Sequence, residues 1–165
     1  MIRTKNSGRI KYLTRAGIIA AIYVALTGVS AILGMSSGVI QMRLSEALCV
    51  LPVFTAAAVP GVTIGCLISN IIFGGTAYDI VFGTLATLIG ALLALLFKKI
   101  PYFSSVPTIV SNTLIIPLMF IVSGVGLWDT YPLYALFVFI GEFISCGLLG
   151  GLVVLLVRRH PKLMK

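Results

Sequence analysis

Five residues of this sequence have both the chemistry and the setting to hold a polar molecule. Arg43 and Glu46 stand three apart at the start of an apolar run, Asn70 lies deep in the next run, Asp79 follows a Gly-rich stretch, and Glu142 interrupts the last run. A charged side chain costs about 2.5–3.5 kcal/mol at the centre of a bilayer, so such groups persist where they face a partner, a cavity or a ligand. The sequence has four acids in all, Glu46, Asp79, Asp129 and Glu142. With Gln41, Arg43, Asn70, Tyr78 and Trp128 they can line a pocket that offers carboxylate acceptors, amides and aromatic faces to a flat polar ligand.

Each residue also has a plainer reading. Arg43 and Glu46, at i and i+3, suit an ion pair within one helix. Glu46 can join such a pair and still face a cavity, because a carboxylate offers about four acceptor positions. Asn70 can be an interhelical hydrogen bond, and Asn112 is expected as glue of that kind. Asp79 suits a helix N-cap, where it also meets the positive end of the helix dipole. Glu142, about 16 Å into its helix, needs a partner, water or a proton. Trp128 and Tyr131 suit membrane-interface anchors. Cys49, Cys66 and Cys146 show no metal or disulfide spacing and read as small packing residues.

The elements that must position these groups follow from composition. Of 165 residues, 59% are hydrophobic and 10% charged, whereas soluble domains carry about 25% charged residues. The sequence therefore predicts an all-α integral membrane protein, a single six-helix transmembrane bundle over residues 1–165, with spans near 12–34, 44–59, 62–77, 80–97, 108–126 and 132–157. Pro60-Gly61 is the expected break between the second and third spans. A Ser- and Gly-rich loop runs from Met35 to Gln41, and Gly74 and Gly75 end the third span.

The net charge of +8 is gathered in three places: Arg3, Lys5, Arg9, Lys11 and Arg15 at the start, Lys98 and Lys99 in one loop, and Arg158, Arg159, Lys162 and Lys165 at the end. The positive-inside rule then puts both termini in the cytoplasm and the acids toward the exterior. The basic excess is topological, and no nucleic acid partner is expected. The first apolar run is too long for a cleaved signal segment and is expected to be retained. Its small residues, including Ala16, Ala20 and Ala25, form a face on which another helix can dock, in the bundle or on a partner subunit.

Enzyme signatures are missing. The single histidine, His160, lies in the basic tail, and there is no phosphate-binding loop, HExxH or nucleophile elbow. No cofactor or metal is expected. Uphill transport needs either ATP hydrolysis by other chains or ion coupling through Glu142. A proton-coupled carrier, and less favoured a membrane enzyme or assembly factor, are the alternatives to a binding subunit.

The stretch RLSEALCVLPVFTAAAVPGVTIGCLISN, followed by YDIVFGTLATLIGALLALL, resembles the QueT family of substrate-binding S components of energy-coupling-factor transporters. The likeness runs over residues 41–96, and the six-span plan and basic ends extend it; Ala56 departs from a position where the family often has Pro. The resemblance implies a multi-pass protein of the bacterial plasma membrane that binds a queuosine precursor such as 7-aminomethyl-7-deazaguanine (prequeuosine). It also implies docking through Ala16, Ala20 and Ala25 on a transmembrane scaffold subunit served by two cytoplasmic ATPases. The ligand contacts it implies are Arg43, Glu46, Asn70, Asp79 and Glu142.

Overall fold

A computed structural model describes residues 2–35, 41–73 and 75–161. The expected loop over residues 36–40, Gly74, and the basic tail with Lys162 and Lys165 lie outside them. Among the described residues all regular structure is helical, in six stretches, the number the apolar runs predict. The first helix is Ile2–Ile32, the second Leu44–Val53, the third Ala58–Ile72, the fourth Asp79–Phe97, the fifth Pro101–Val122 and the sixth Trp128–Arg159.

The six are not equivalent. The first, fourth, fifth and sixth are long and apolar enough to cross a membrane, whereas the second and third are shorter. The second is a ten-residue 3-10 helix, rising about 20 Å, and the third rises about 22 Å; both fall short of a hydrocarbon core about 30 Å thick. Every residue from 45 to 53 is buried. This apolar helix meets protein on all sides, packed by the first, third, fourth and sixth helices. Its sequence looks like a lipid-facing span because a buried helix and a lipid-facing one are equally apolar.

The break between the second and third helices falls at residues 54–57, ahead of Pro60-Gly61. Pro60 instead sits in the first turn of the third helix, where its missing N–H removes no helical bond. Gly61 and Gly65 form a GxxxG face that brings the third helix against the first. A Cβ on Gly61 would lie 2.9 Å from the Ile19 side chain and 3.0 Å from the Ala16 carbonyl; one on Gly65 would lie 2.7 Å from Cβ of Tyr23 and 3.1 Å from the Ala20 carbonyl. Ala16 and Ala20 are thus buried inside the bundle, so their part of the small-residue face is spent on the third helix. Gly17, Ala21 and Ala25, one helical stripe over, remain exposed.

The two ends of the bundle differ. Tyr12 in the first helix donates to the Ala56 carbonyl at 3.4 Å, and the Arg158 guanidinium stands 5.1 Å from the centre of the Tyr102 ring. The start of the first helix, the 54–57 turn, the connection after Lys98-Lys99 and the end of the sixth helix therefore share one end, which collects the basic residues. Leucines and isoleucines such as Leu13, Ile18, Leu92, Leu114 and Leu152 cover the outside, while Ser30, Ser45, Thr87, Thr108 and the three cysteines are buried. Small, weakly polar interiors under an apolar exterior are what lipid favours, since close backbone approach and interhelical hydrogen bonds replace hydrophobic sorting.

Candidate functional site

The polar site lies away from the basic end, where the second helix begins. The chain arrives at Arg43 in extended conformation, with φ −116° and ψ 110°, and turns directly into the 3-10 helix. That turn places Arg43 and Glu46 in one pocket without pairing them. Arg43 Nη1 donates to Asn70 Oδ1 at 3.0 Å, and Asn70 Nδ2 donates in turn to the Asp79 carbonyl at 3.0 Å. Among the described residues no ion pair joins Arg43 to Glu46, which corrects the expected helical pair: Arg43 is extended and precedes the first helical residue, Leu44, so the two are not i and i+3 within one helix. Gly83 leaves the space for this amide, since a Cβ there would stand 3.0 Å from Asn70 Nδ2.

Glu46 is buried and engaged on both oxygens, by the Tyr23 hydroxyl on Oε1 and by the Cys49 thiol on Oε2 at 3.1 Å. Two further bonds run along the same face of the first helix: Thr27 Oγ1 meets Ser45 Oγ at 2.8 Å, and the Leu44 N–H donates to Ser30 Oγ at 2.9 Å. The first helix is stitched to the pocket-lining start of the second.

Asp79 is not an N-cap. Residues 77–78 are already helical, so Thr76 occupies that position, and Asp79 is its reciprocal partner three residues on: the Thr76 N–H donates to Asp79 Oδ2 at 2.8 Å and the Asp79 N–H to Thr76 Oγ1 at 3.2 Å. This capping box satisfies two donors that the helix start would otherwise leave without partners. Glu142 sits where the sixth helix passes into a π-helical segment, Phe143–Leu149, and Asp79 opens another, Asp79–Gly83. The wider turns rotate the following residues relative to an α-helix, and such bulges recur at functional sites. Glu46 and Asp79 therefore stand in helix of non-α pitch, and Glu142 at the last α-helical position before such a segment.

Two lobes share Gln41, Arg43 and Asp79. The outer lobe, about 210 Å³, is completed by Thr27, Ser69, Asn70 and Phe73. The inner lobe, about 40 Å³, reaches Glu46, Thr87, Asn112 and Glu142. Glu142 Oε2 is buried and has no hydrogen-bond partner, a condition that water, a proton or a ligand donor must relieve. Asn112, expected as structural glue between helices, adjoins this carboxyl from the fifth helix and also lines the pocket.

The five site residues predicted from sequence thus converge on the two lobes. Tyr78, Trp128 and Asp129 are exposed and line neither. Tyr131 donates to the Leu114 carbonyl at 3.0 Å, in the turn before Pro117 breaks the fifth helix's bonding. Sequence reasoning missed Tyr23, Thr76 and Asn112 as parts of the site. For Thr76 a readable signal existed, the T-x-x-D spacing ahead of an apolar run; for Tyr23 and Asn112 no local pattern marks the distant partner.

Comparison with known proteins adds three findings. The sequence pattern of the family described as QueT transporter matches residues 13–159. A protein named "Queuosine precursor transporter QueT" from Lactococcus lactis subsp. cremoris (strain MG1363) is 41% identical over 86 residues, which are 50% of this chain and 50% of that protein. The chain thus spans about half the length of the relative it matches. No solved structure matches.

Proposed function

The chain belongs to the QueT transporter family, and from that premise we propose that it is the substrate-binding S component of an ATP-driven energy-coupling-factor importer for a queuosine precursor. The observation that carries the reading is the unpartnered Glu142 Oε2 in a pocket also lined by Arg43, Glu46 and Asp79. A 7-deazaguanine bearing an aminomethyl cation needs one carboxylate for the cation and another for the paired N–H donors of its base edge. Glu142 serves the first need and Glu46 the second. The base carbonyl goes to Asn112 or to the remaining N–H donors of Arg43, because Asn70 already spends its oxygen on Arg43 and its amide on the Asp79 carbonyl.

The inner lobe is too small for such a ligand as it stands, so binding requires side chains between the lobes to move. Arg43 is the candidate, since it lines both. In this reading the basic end faces the cytoplasm of a bacterial cell, both termini lie inside, and the site opens outward across the plasma membrane. Docking on the scaffold subunit, which is served by two ATPases, uses the exposed Gly17, Ala21 and Ala25 stripe, with Ala16 and Ala20 acting from beneath through the third helix. ATP hydrolysis belongs to the partner chains, and the chain is no enzyme.

Titrating the purified full chain with 7-aminomethyl-7-deazaguanine, guanine and a thiamine-like cation tests the reading. Preference for the first by about a hundredfold is expected; equal affinities overturn it. The buried Glu142 carboxyl also suits a proton-coupled carrier, which would take up ligand in liposomes without ATPases when given a pH gradient.

A further inference from the structure

Glu46 is gripped from behind by groups that belong to the fold. Tyr23 reaches it from the first helix, Cys49 from the next turn of the second, and the two donors take one oxygen each. Tyr23 and Cys49 are completely buried and Glu46 is 3% exposed. Gly65 makes the seat for the Tyr23 ring, since any side chain there would collide with it. A glutamate carboxylate ordinarily turns freely about its last torsion. Here that rotation is stopped, because turning the group would pull both oxygens off their donors.

We propose that Tyr23 and Cys49 are positioning residues that lock the plane of the Glu46 carboxylate, so that its remaining acceptor positions meet two parallel N–H donors on one edge of a guanine-type base. The inference rests on the ligand reading of the pocket given above. A carboxylate with two oxygens keeps about one further acceptor position on each when the first is taken. A locked pair of positions rewards a ligand that offers both donors, while a freely turning carboxylate accepts a single donor nearly as well. The lock therefore acts on selectivity for the two-donor edge.

The experiment compares Kd for 7-aminomethyl-7-deazaguanine with Kd for the analogue lacking the exocyclic 2-amino group, on the purified full chain. Tyr23→Phe keeps the ring and removes the donor; it is expected to shrink the ratio of the two Kd values about tenfold. Cys49→Ala is expected to shrink it about threefold, thiols being weaker donors, and decides the matter if Tyr23→Phe does not fold. Equal losses for both ligands assign the two residues to packing and overturn the proposal, as does an unaltered ratio. Wild-type protein that binds neither ligand overturns the substrate reading itself, whereas wild-type binding with an unchanged variant ratio overturns the proposal alone.

Discussion

Arg43 Nη1 lies 3.0 Å from Asn70 Oδ1, an intramolecular bond between residues 27 apart that joins the entry of the second helix to the third. The Asn70 amide passes the connection on to the Asp79 carbonyl, so one neutral side chain holds three elements around the pocket. Asn70→Ala removes both bonds and leaves a guanidinium and a carbonyl without these partners. The expected loss is about 2–4 kcal/mol, since each buried polar group left unsatisfied costs about 1–3 kcal/mol. Thermal unfolding in detergent reads this loss, and an unchanged midpoint would show that solvent replaces Asn70 without penalty.

The first helix carries two small-residue faces with opposite expected sensitivities. Gly65→Ala puts a Cβ 2.7 Å from that of Tyr23, which the backbones must separate to accept, at about 1–3 kcal/mol for an overpacked interface. Gly17→Ala meets nothing within 4 Å and is expected to stabilise by about 0.4–1 kcal/mol through the unfolded chain. Melting temperatures of the two variants should move in opposite directions. A bulkier Gly17→Leu should leave ligand affinity intact while reducing recovery of the chain with its scaffold subunit; full recovery would remove the exposed stripe as the docking face.

How far the sequence revealed this arrangement depended on what each residue stands against. Arg43, Glu46, Asn70, Asp79 and Glu142 were conspicuous because polar groups in apolar runs are costly, and the structure gathers them around two adjoining lobes. Tyr23 and Asn112 were not, because a tyrosine or asparagine in a span has several ordinary uses and its partner comes from a distant helix. The second helix was legible as apolar but not as buried, since lipid and protein interior select the same side chains. Pro60 carried two meanings, helix breaker and first-turn residue, and only the position of the 54–57 turn distinguishes them.

Thr76 tests whether the capping box merely starts the fourth helix or also sets the pocket. Thr76→Val keeps the shape and removes the hydroxyl, which accepts from the Asp79 N–H at 3.2 Å and donates to Asp79 Oδ2 at 2.7 Å. Loss of a cap costs about 0.5–2 kcal/mol, and that fall in unfolding free energy is the expected result. Ligand affinity should weaken by less than about threefold, because the Thr76 N–H still donates to Asp79 Oδ2. A much larger drop in affinity would make the capped conformation of Asp79 part of ligand recognition.

Glu142 is where stability and binding are expected to oppose each other. Its Oε2 is buried without a partner, a state that costs folding free energy and that a cationic ligand, on the reading proposed above, would relieve. Glu142→Gln has nearly the same shape and no charge, so the ligand-free protein should unfold at higher temperature, by an amount corresponding to about 1–2 kcal/mol. The same change removes the counter-charge for an aminomethyl cation, and affinity for 7-aminomethyl-7-deazaguanine should fall about 100-fold while affinity for uncharged guanine falls far less. Differential scanning in detergent and parallel titrations measure the two effects on one preparation. A variant that melts earlier than wild type and binds both ligands as before would mean that Glu142 holds the bundle together and takes no part in reading the cation.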